Sequence, residues 1–147
     1  MNEAAKNYWE EYWKAEEKPA DVSAWMFGAL PDELAQLVID GKKTATCSGH
    51  IFYELEKEPL PKVGEYSIVL NSKEQPVAMI KIIDVSIVPM NEVTEEFAVA
   101  EGEGPYEAWK SAHVEFFTSE LRTVGLEFSG NMLLVCERFM LVDVKDQ

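Results

Sequence analysis

The sequence has few cysteines and no long apolar run, and both shortages limit what the protein can be. Its two cysteines, Cys47 and Cys136, form no C-x-x-C pair. We interpret them as buried thiols in a reducing cytoplasm rather than as a disulfide or a metal pair. No apolar run approaches the roughly 20 residues that cross a bilayer, and the N-terminus lacks the basic and apolar regions of a signal peptide. We therefore expect a cytoplasmic protein without a membrane partner.

Basic residues are also scarce. Thirteen lysines and arginines stand against 27 acidic residues, which gives a net charge of −14. Proteins that bind long nucleic acids gain most of their affinity from clustered Lys and Arg side chains that neutralise phosphates, and the sequence shows no such cluster. The charge disfavours binding along an extended RNA and favours a small ligand that is neutral or weakly charged.

Motifs for metals and phosphates are missing as well. The sequence contains no H-E-x-x-H, no cluster of Cys and His at ligand spacing and no glycine-rich phosphate loop. We therefore predict neither a metal site nor a cofactor.

The residues that are present suit one domain, because 147 residues with 47% hydrophobic content can bury a sizeable core. Tyr8, Trp9, Tyr12 and Trp13 predict an aromatic-faced helix within residues 1–20, ended by Pro19 and packed on a single domain over residues 21–147. Helical patterns occur at residues 31–40, 91–100 and 106–121. Strand patterns occur at residues 44–48, 66–70, 76–88 and 131–144. This order predicts an α+β fold, a small mixed β-barrel flanked by helices.

The stretch "GKKTATCS" concentrates lysines and hydroxyls where the helical pattern gives way to a strand pattern. In a strand, Thr44, Thr46 and Ser48 would share one face, and the two small residues between them would face the core. Lys43 can reach over this hydroxyl row only if it precedes the strand. The residues alone leave two interpretations open, a solvated helix end or the reactive corner of a site.

The spacing Gly-x-Lys-x-x-Thr after a short helix resembles the signature of the ASCH domain family, whose fold is a PUA-like β-barrel. Gly41, Lys43 and Thr46 carry it here. The resemblance, to a bacterial branch of that family, runs from Trp25 to the end of the chain. It includes "AWMFG", "EPLPKVGEYSIVL", "EFAVAEGEGPYEAWKSAHVEFF" and "MLLVCERF". It implies a cleft that accepts a nucleobase, a nucleoside or an RNA end.

Some members of that family are amidohydrolases that remove the acyl group from N4-acetylcytidine. The resemblance implies the same catalytic set here, formed by Lys43, Thr46 and Glu101. The pattern departs at Ser48, where the family has an arginine. A donor fork suited to a carbonyl or phosphate is therefore missing, which leaves the substrate open.

Two mechanisms are compatible with these three residues. In the first, a neutral Lys43 is the base, Thr46 attacks the amide, and Glu101 holds the substrate or the leaving amine. In the second, Lys43 stays charged and polarises the carbonyl while Glu101 activates water. Because neither Lys43 nor Thr46 is a large core side chain, we expect their replacement by alanine to leave the fold intact.

Further residues are candidates for ligand binding. Trp25 and Phe27 can stack on a base, with core packing as the alternative. The remaining candidates lie beside the catalytic set in sequence or in the resemblance: Lys42, Thr44, Ser48, Glu103 and His113. For Glu103 the alternative is a solvated loop, and for His113 a satisfied, half-buried side chain.

Three classes of function follow. We favour a small-substrate amidohydrolase that acts on N4-acetylcytidine-like acylated nucleosides, because its catalytic set is present and the charge of −14 is compatible with it. The alternative is a non-catalytic RNA- or nucleotide-binding module, which predicts a basic face. The third is a ribonuclease, for which the sequence offers no separate set of residues.

Overall fold

A computed structural model of the protein describes residues 1–14, 18–19 and 22–146. Its helices are α1 (Glu3–Trp13), α2 (Pro31–Ile39), α3 (His50–Glu56), α4 (Glu95–Ala100) and α5 (Tyr106–Thr123), with a short 3₁₀ turn at Met90–Glu92. Its strands are β1 (Val22–Met26), β2 (Ala45–Gly49), β3 (Tyr66–Leu70), β4 (Pro76–Pro89) and β5 (Leu133–Val144).

The strands form one mixed sheet in the order β1-β3-β4-β5-β2. β1 pairs with β3 in parallel, and the other neighbours are antiparallel. β4 and β5 shift register between Met79 and Ile80 and again between Ile82 and Asp84, and such bulges bend a sheet. The result is a half-barrel with helices around it. The predicted α+β fold is confirmed.

The N-terminal helix, Glu3–Trp13, ends before it reaches Pro19, where the sequence predicted its end. Asn2 caps it by accepting a hydrogen bond of 2.8 Å from the Ala5 backbone N–H. It ends at Trp13 because Lys14 leaves the helical region, with φ at 53°. The predicted continuation at residues 15–17 lies outside the described residues. α1 buries Tyr8 and Trp9 in an apolar cluster with side chains of β3 and β4.

Two further apolar clusters fix the elements around the site. One joins α2 to β3, β4 and β5 through Val38, Val69 and Phe139. The other packs α4 and α5 against β2 and β5, with Trp109 at its centre and fully buried. In the described part of the chain, no helix combines the length and the apolarity needed to span a membrane.

Candidate functional site

A large cavity is lined by residues from β1, β2, α3, α5 and β5. Its volume is about 1230 Å³, which exceeds the range of about 300–1,000 Å³ typical of small-molecule sites. Most of the predicted site residues line it: Trp25, Phe27, Lys43, Thr46, Ser48, Glu101, Glu103 and His113. The cavity has room for a nucleoside.

Lys43 is held in place by the turn between α2 and β2. Gly41 follows α2 with φ at 75°, a conformation that glycine adopts without strain. The backbone N–H of Lys43 then donates to the Leu37 carbonyl at 3.0 Å, and that of Thr44 donates to the Ala100 carbonyl at 2.8 Å. Lys43 therefore precedes β2, the position from which its side chain can reach over the hydroxyl residues of that strand. The hydrogen bond from Thr44 holds this segment against the C-terminal end of α4.

The Lys43 side chain is buried against two carboxylates. Its Nζ lies 3.3 Å from both Oε1 and the backbone oxygen of Glu101 and 3.7 Å from Oε2 of Glu103. Lys43 is only 2% exposed and Glu101 only 1%. The same Nζ lies 5.2 Å from the ring centre of Phe27. Two carboxylates and an aromatic face all stabilise the positive charge of the Lys43 ammonium group.

Glu101 is surrounded by donors. The Trp109 indole N–H donates to Oε2 at 2.6 Å, while Nε2 of His113 lies 3.7 Å from Oε1. Burial acts to raise the pKa of Glu101, but the hydrogen bond from His113 and the charge of Lys43 outweigh it and hold the pKa below its usual value. Glu101 is therefore an anion at neutral pH.

His113 is part of the same group. Its ring stacks on Trp109 with the ring centres 4.5 Å apart, and its Nδ1–H donates to the Trp109 carbonyl at 2.7 Å. Burial acts to lower the pKa of His113, yet the contacts with Glu101 raise it above the usual value. We call Lys43, Glu101, Glu103 and His113 the charged pole of the cavity. With His113 protonated, its two cations balance its two anions.

A glycine makes this arrangement possible. Gly102 has φ at 76°, and a Cβ built on it would lie 2.6 Å from the Lys42 backbone oxygen. A side chain at this position would push the loop after α4 away from the segment that carries Lys43. The "EGEG" loop therefore brings two backbones together.

Cys47 also contacts the charged pole. Its Sγ lies within 4.8 Å of ligand atoms of Glu101 and His113, a triad that could in principle bind a metal ion. Burial, followed by the charge of Glu101, raises the pKa of the Cys47 thiol well above its usual value. The Glu101 carboxylate already binds Lys43 and Trp109, so the ammonium takes the place that a metal ion would need. The triad does not fit a metal site.

Of the three hydroxyl residues predicted to share one face, Thr44, Thr46 and Ser48, only two face the cavity. Thr46 and Ser48 line the cavity, and Ser48 Oγ shares a hydrogen bond of 2.9 Å with the Tyr53 hydroxyl. Thr44 does not join them. It is exposed, and its hydroxyl donates to the Ala100 carbonyl at 3.4 Å, because it precedes β2 and belongs to the turn.

Among the described residues, no hydrogen bond joins Thr46 to Lys43 or Glu101. No contact therefore supports direct activation of the Thr46 hydroxyl by Lys43. Lys42 is exposed and lies outside the cavity lining, since the turn that buries Lys43 directs its neighbour to the surface.

A further buried carboxyl group lines the cavity and was missed by the sequence analysis. Glu137 on β5 lies directly opposite Thr46 on β2 and is 9% exposed. Burial, together with the charge of Glu65, raises its pKa to about 7. The available signal was an acidic residue inside the apolar strand "LLVCERFMLV", which indicates a buried or pocket-facing carboxyl.

The two aromatic candidates lie together on the cavity wall. Trp25 on β1 and Phe27 just after it meet edge to face, with ring centres 4.9 Å apart. Phe27 also packs in the cluster beneath α2, so it combines core packing with a place beside Lys43.

A family model that describes the ASCH domain matches residues 23–143. A solved structure of a protein from Enterococcus faecalis is 41% identical, with a TM-score of 0.81, and the match covers 95% of this chain and 86% of that one. An ASCH domain from Lactobacillus crispatus is 34% identical, with a TM-score of 0.90 and coverage of 96% and 95%.

A variant of an ASCH protein from Zymomonas mobilis is 12% identical, with a TM-score of 0.51 and coverage of 85% and 73%, a likeness of fold alone. Comparison with curated proteins gives no significant match.

Proposed function

The chain belongs to the ASCH domain family and has its PUA-like fold, and on this premise we propose that it is a small-substrate amidohydrolase. The substrate class is an acylated nucleoside such as N4-acetylcytidine. The observation that carries the proposal is the buried Lys43–Glu101 pair on the wall of a cavity with room for a nucleoside. A buried ion pair adds little net stability, and perturbed carboxyl groups in a cavity are typical of functional sites.

The charges around the cavity favour a neutral ligand. Its lining includes two lysines, Lys43 and Lys62, against six glutamates. The phosphates of an RNA strand would meet this negative potential without compensation. A nucleoside has no phosphate and can use the aromatic rings of Trp25 and Phe27 and the polar groups at the charged pole.

The contacts of Lys43 favour the second of the two mechanisms. Its ammonium donates to the amide carbonyl oxygen and stabilises the negative charge that develops there. Glu101 accepts a proton from water as the water oxygen adds to the carbonyl carbon. The C–N bond then breaks, and the proton passes from Glu101 to the leaving amino group. Thr46, which has no bond to Lys43, hydrogen-bonds the attacking water or the ligand.

The test is incubation of the purified protein with N4-acetylcytidine and a panel of other N-acyl nucleosides, with the free nucleoside measured by chromatography. Lys43→Met removes the ammonium, and Lys42→Met is the matched control at an exposed lysine. We expect cleavage by the wild type and by Lys42→Met, and a loss of several hundredfold or more with Lys43→Met. Cleavage that survives Lys43→Met would refute the assignment.

The RNA-binding alternative predicts a different result. A non-catalytic module would cleave none of the nucleosides and would bind single-stranded RNA with an affinity that falls steeply as salt is raised. Gel-shift titrations at two salt concentrations distinguish the two functions. Salt-dependent RNA binding without cleavage would replace the hydrolase by the binding module.

A further inference from the structure

Glu137 lines the cavity but has no role in the proposed mechanism. It shares a face with Thr46, because the two residues are directly paired across β5 and β2. Tyr53 on α3 lines the same side of the cavity. These residues project from different elements toward one space, which makes them a group fixed by the fold.

The carboxyl group of Glu137 has no protein partner in the part of the chain that the structure describes. It is more than nine-tenths buried, and only burial and the charge of Glu65 act on it. Glu101, by contrast, has Lys43 and Trp109 as donors. A buried polar group without a partner is costly, so a carboxyl that borders a cavity is suited to binding a ligand there.

Within residues 1–14, 18–19 and 22–146, no lysine, arginine or histidine forms an ion pair with Glu137. Its cross-strand neighbours are Thr46 on β2 and Val85 on β4, neither of which is charged. The titratable groups that interact with it are Glu65, before β3, Tyr53 on α3, and Cys136, which precedes it in β5. Arg138 follows it in β5, where side chains alternate between the two faces, and lies 3.4 Å from Glu96.

A carboxyl in these surroundings has a substantial neutral fraction at neutral pH, because burial and Glu65 raise its pKa to about 7. In that form it presents one O–H donor beside one carbonyl acceptor. Once ionised, it only accepts hydrogen bonds. Protonation therefore changes which ligand groups it can bind.

We infer that Glu137 forms a second, neutral pole of the cavity that recognises a ligand edge with a hydrogen-bond donor next to an acceptor. The inference rests on the proposed function in taking a nucleoside as the ligand. The ring edge of an N4-acylated cytidine has this pattern, since N4–H donates and N3 accepts. The Glu137 carboxyl donates to N3 and accepts from N4–H, while the charged pole binds the acyl group. Glutamate accepting from cytosine N4 is a known pairing in nucleic-acid recognition.

The inference is tested by calorimetric binding of cytidine, which cannot be deacylated further. The wild type, Glu137→Gln, Glu137→Ala and Glu120→Gln are compared from pH 5.5 to pH 8.5. Glutamine keeps a donor beside an acceptor but cannot ionise. Glu120 also lines the cavity but is exposed, so its variant is the matched control. The second probe is N4,N4-dimethylcytidine, which lacks the N4–H donor.

For the wild type we expect cytidine affinity to fall roughly thirtyfold between pH 5.5 and pH 8.5. Only the neutral Glu137 carboxyl binds cytidine in this way, and above about pH 7 the neutral fraction falls about tenfold per pH unit. Glu137→Gln should bind at every pH without this fall, and Glu137→Ala should bind weakly throughout. Glu120→Gln should follow the wild type. The dimethylated probe should bind weakly to all four proteins.

Three results would overturn the inference: wild-type affinity that does not change with pH, a fall that persists in Glu137→Gln, or no cytidine binding by the wild type at any pH. Its failure is distinguishable from failure of the hydrolase proposal. Hydrolysis of N4-acetylcytidine with pH-independent cytidine binding would refute only the role of Glu137. Binding with the expected pH dependence, but without hydrolysis, would refute only the hydrolase.

Discussion

Replacing Glu137 by glutamine should stabilise the folded protein above pH 7 and leave its stability nearly unchanged near pH 4.5. Burial, with the charge of Glu65, raises the pKa of Glu137 from 4.5 to about 7 in the folded state. A tenfold change in proton affinity corresponds to about 1.4 kcal/mol, so this difference amounts to about 3 kcal/mol. Little of it is lost to solvent screening, because the side chain is only 9% exposed.

The sign follows from where the proton is bound. Below pH 4.5 the carboxyl is protonated in both the folded and the unfolded chain, so the glutamine brings no electrostatic gain. Between pH 4.5 and about 7 the unfolded chain releases the proton while the folded chain keeps it, and wild-type stability falls. Above pH 7 both states are ionised and the full penalty applies. Glutamine has nearly the same shape and no charge, so Glu137→Gln does not incur this ionisation penalty.

Urea unfolding followed by tryptophan fluorescence at pH 4.5, 6, 7 and 8.5 measures this difference. At pH 8.5 we expect the unfolding midpoint of Glu137→Gln to lie roughly 1–3 M above that of the wild type, since about 3 kcal/mol is divided by a slope of about 1–3 kcal/mol per M. Glu120→Gln at the exposed cavity rim is the control and should shift little. A gain that is equal at pH 4.5 and pH 8.5, or a loss at pH 8.5, would refute the reasoning.

Three further predictions concern the charged pole. Lys43→Met should destabilise the protein by about 3–5 kcal/mol because it leaves buried Glu101 uncompensated. The sequence-based expectation, that replacing Lys43 leaves the fold intact, assumed that Lys43 is not a large core side chain, whereas the structure buries it to 2% exposure. Lys43→Met with Glu101→Gln should recover most of that loss in urea unfolding, and Lys42→Met should cause none; an unrecovered loss would contradict the pairing. Gly102→Ala should cost about 2 kcal/mol or more, because its Cβ meets the Lys42 oxygen at a positive φ, and an unchanged thermal midpoint would contradict this. The stability that His113→Gln loses relative to the wild type should be greatest near pH 6 and smaller as pH rises. The reason is that the raised pKa of His113 in the folded state contributes stability below pH 6.5, and this contribution disappears as pH passes the folded-state pKa. A loss of stability that grows with pH would contradict the ion pair.

The contact between Lys43 and Glu101 could be anticipated from the sequence, because its determinants are local or belong to the family signature. Gly41 ends α2 and Lys43 follows within two residues, so the turn fixes where the lysine lies. Glu101 follows α4 directly and caps its C-terminal end. The resemblance connected the two, although nothing in the spacing of the residues measures a distance between them.

The positions of Glu137 and Cys47 in the cavity could not be anticipated, because they depend on strand pairing. β2 and β5 are far apart in sequence, and their register alone decides that Glu137 lies opposite Thr46 and Cys47 opposite Cys136. Hydrophobic alternation shows which side of a strand is buried but not which strand lies beside it.

Two elements were missed for related reasons. β1 is a five-residue strand paired in parallel with β3, so its partner cannot be recognised from a hairpin. α3 follows β2 without a break, has no fully buried residue and has no side-chain cap. It therefore lacks the apolar stripe and the capping residue by which a helix is recognised in a sequence.

Two of the glutamates that line the cavity have pKa values that their surroundings shift in opposite directions. Glu101 is anionic because His113 and Lys43 outweigh the effect of its burial, whereas Glu137 resists ionisation because it is buried and lies near Glu65. Carboxyl groups whose pKa values are pushed apart in one cavity are suited to different tasks, one as a proton acceptor and one as a hydrogen-bond donor. With a balanced charged pole and a second pole that is largely neutral, the cavity does not compensate the charge of a phosphate chain. The acidic composition of the protein and the chemistry of its cavity thus favour the same class of ligand, a small neutral molecule with an amide and a polar ring edge.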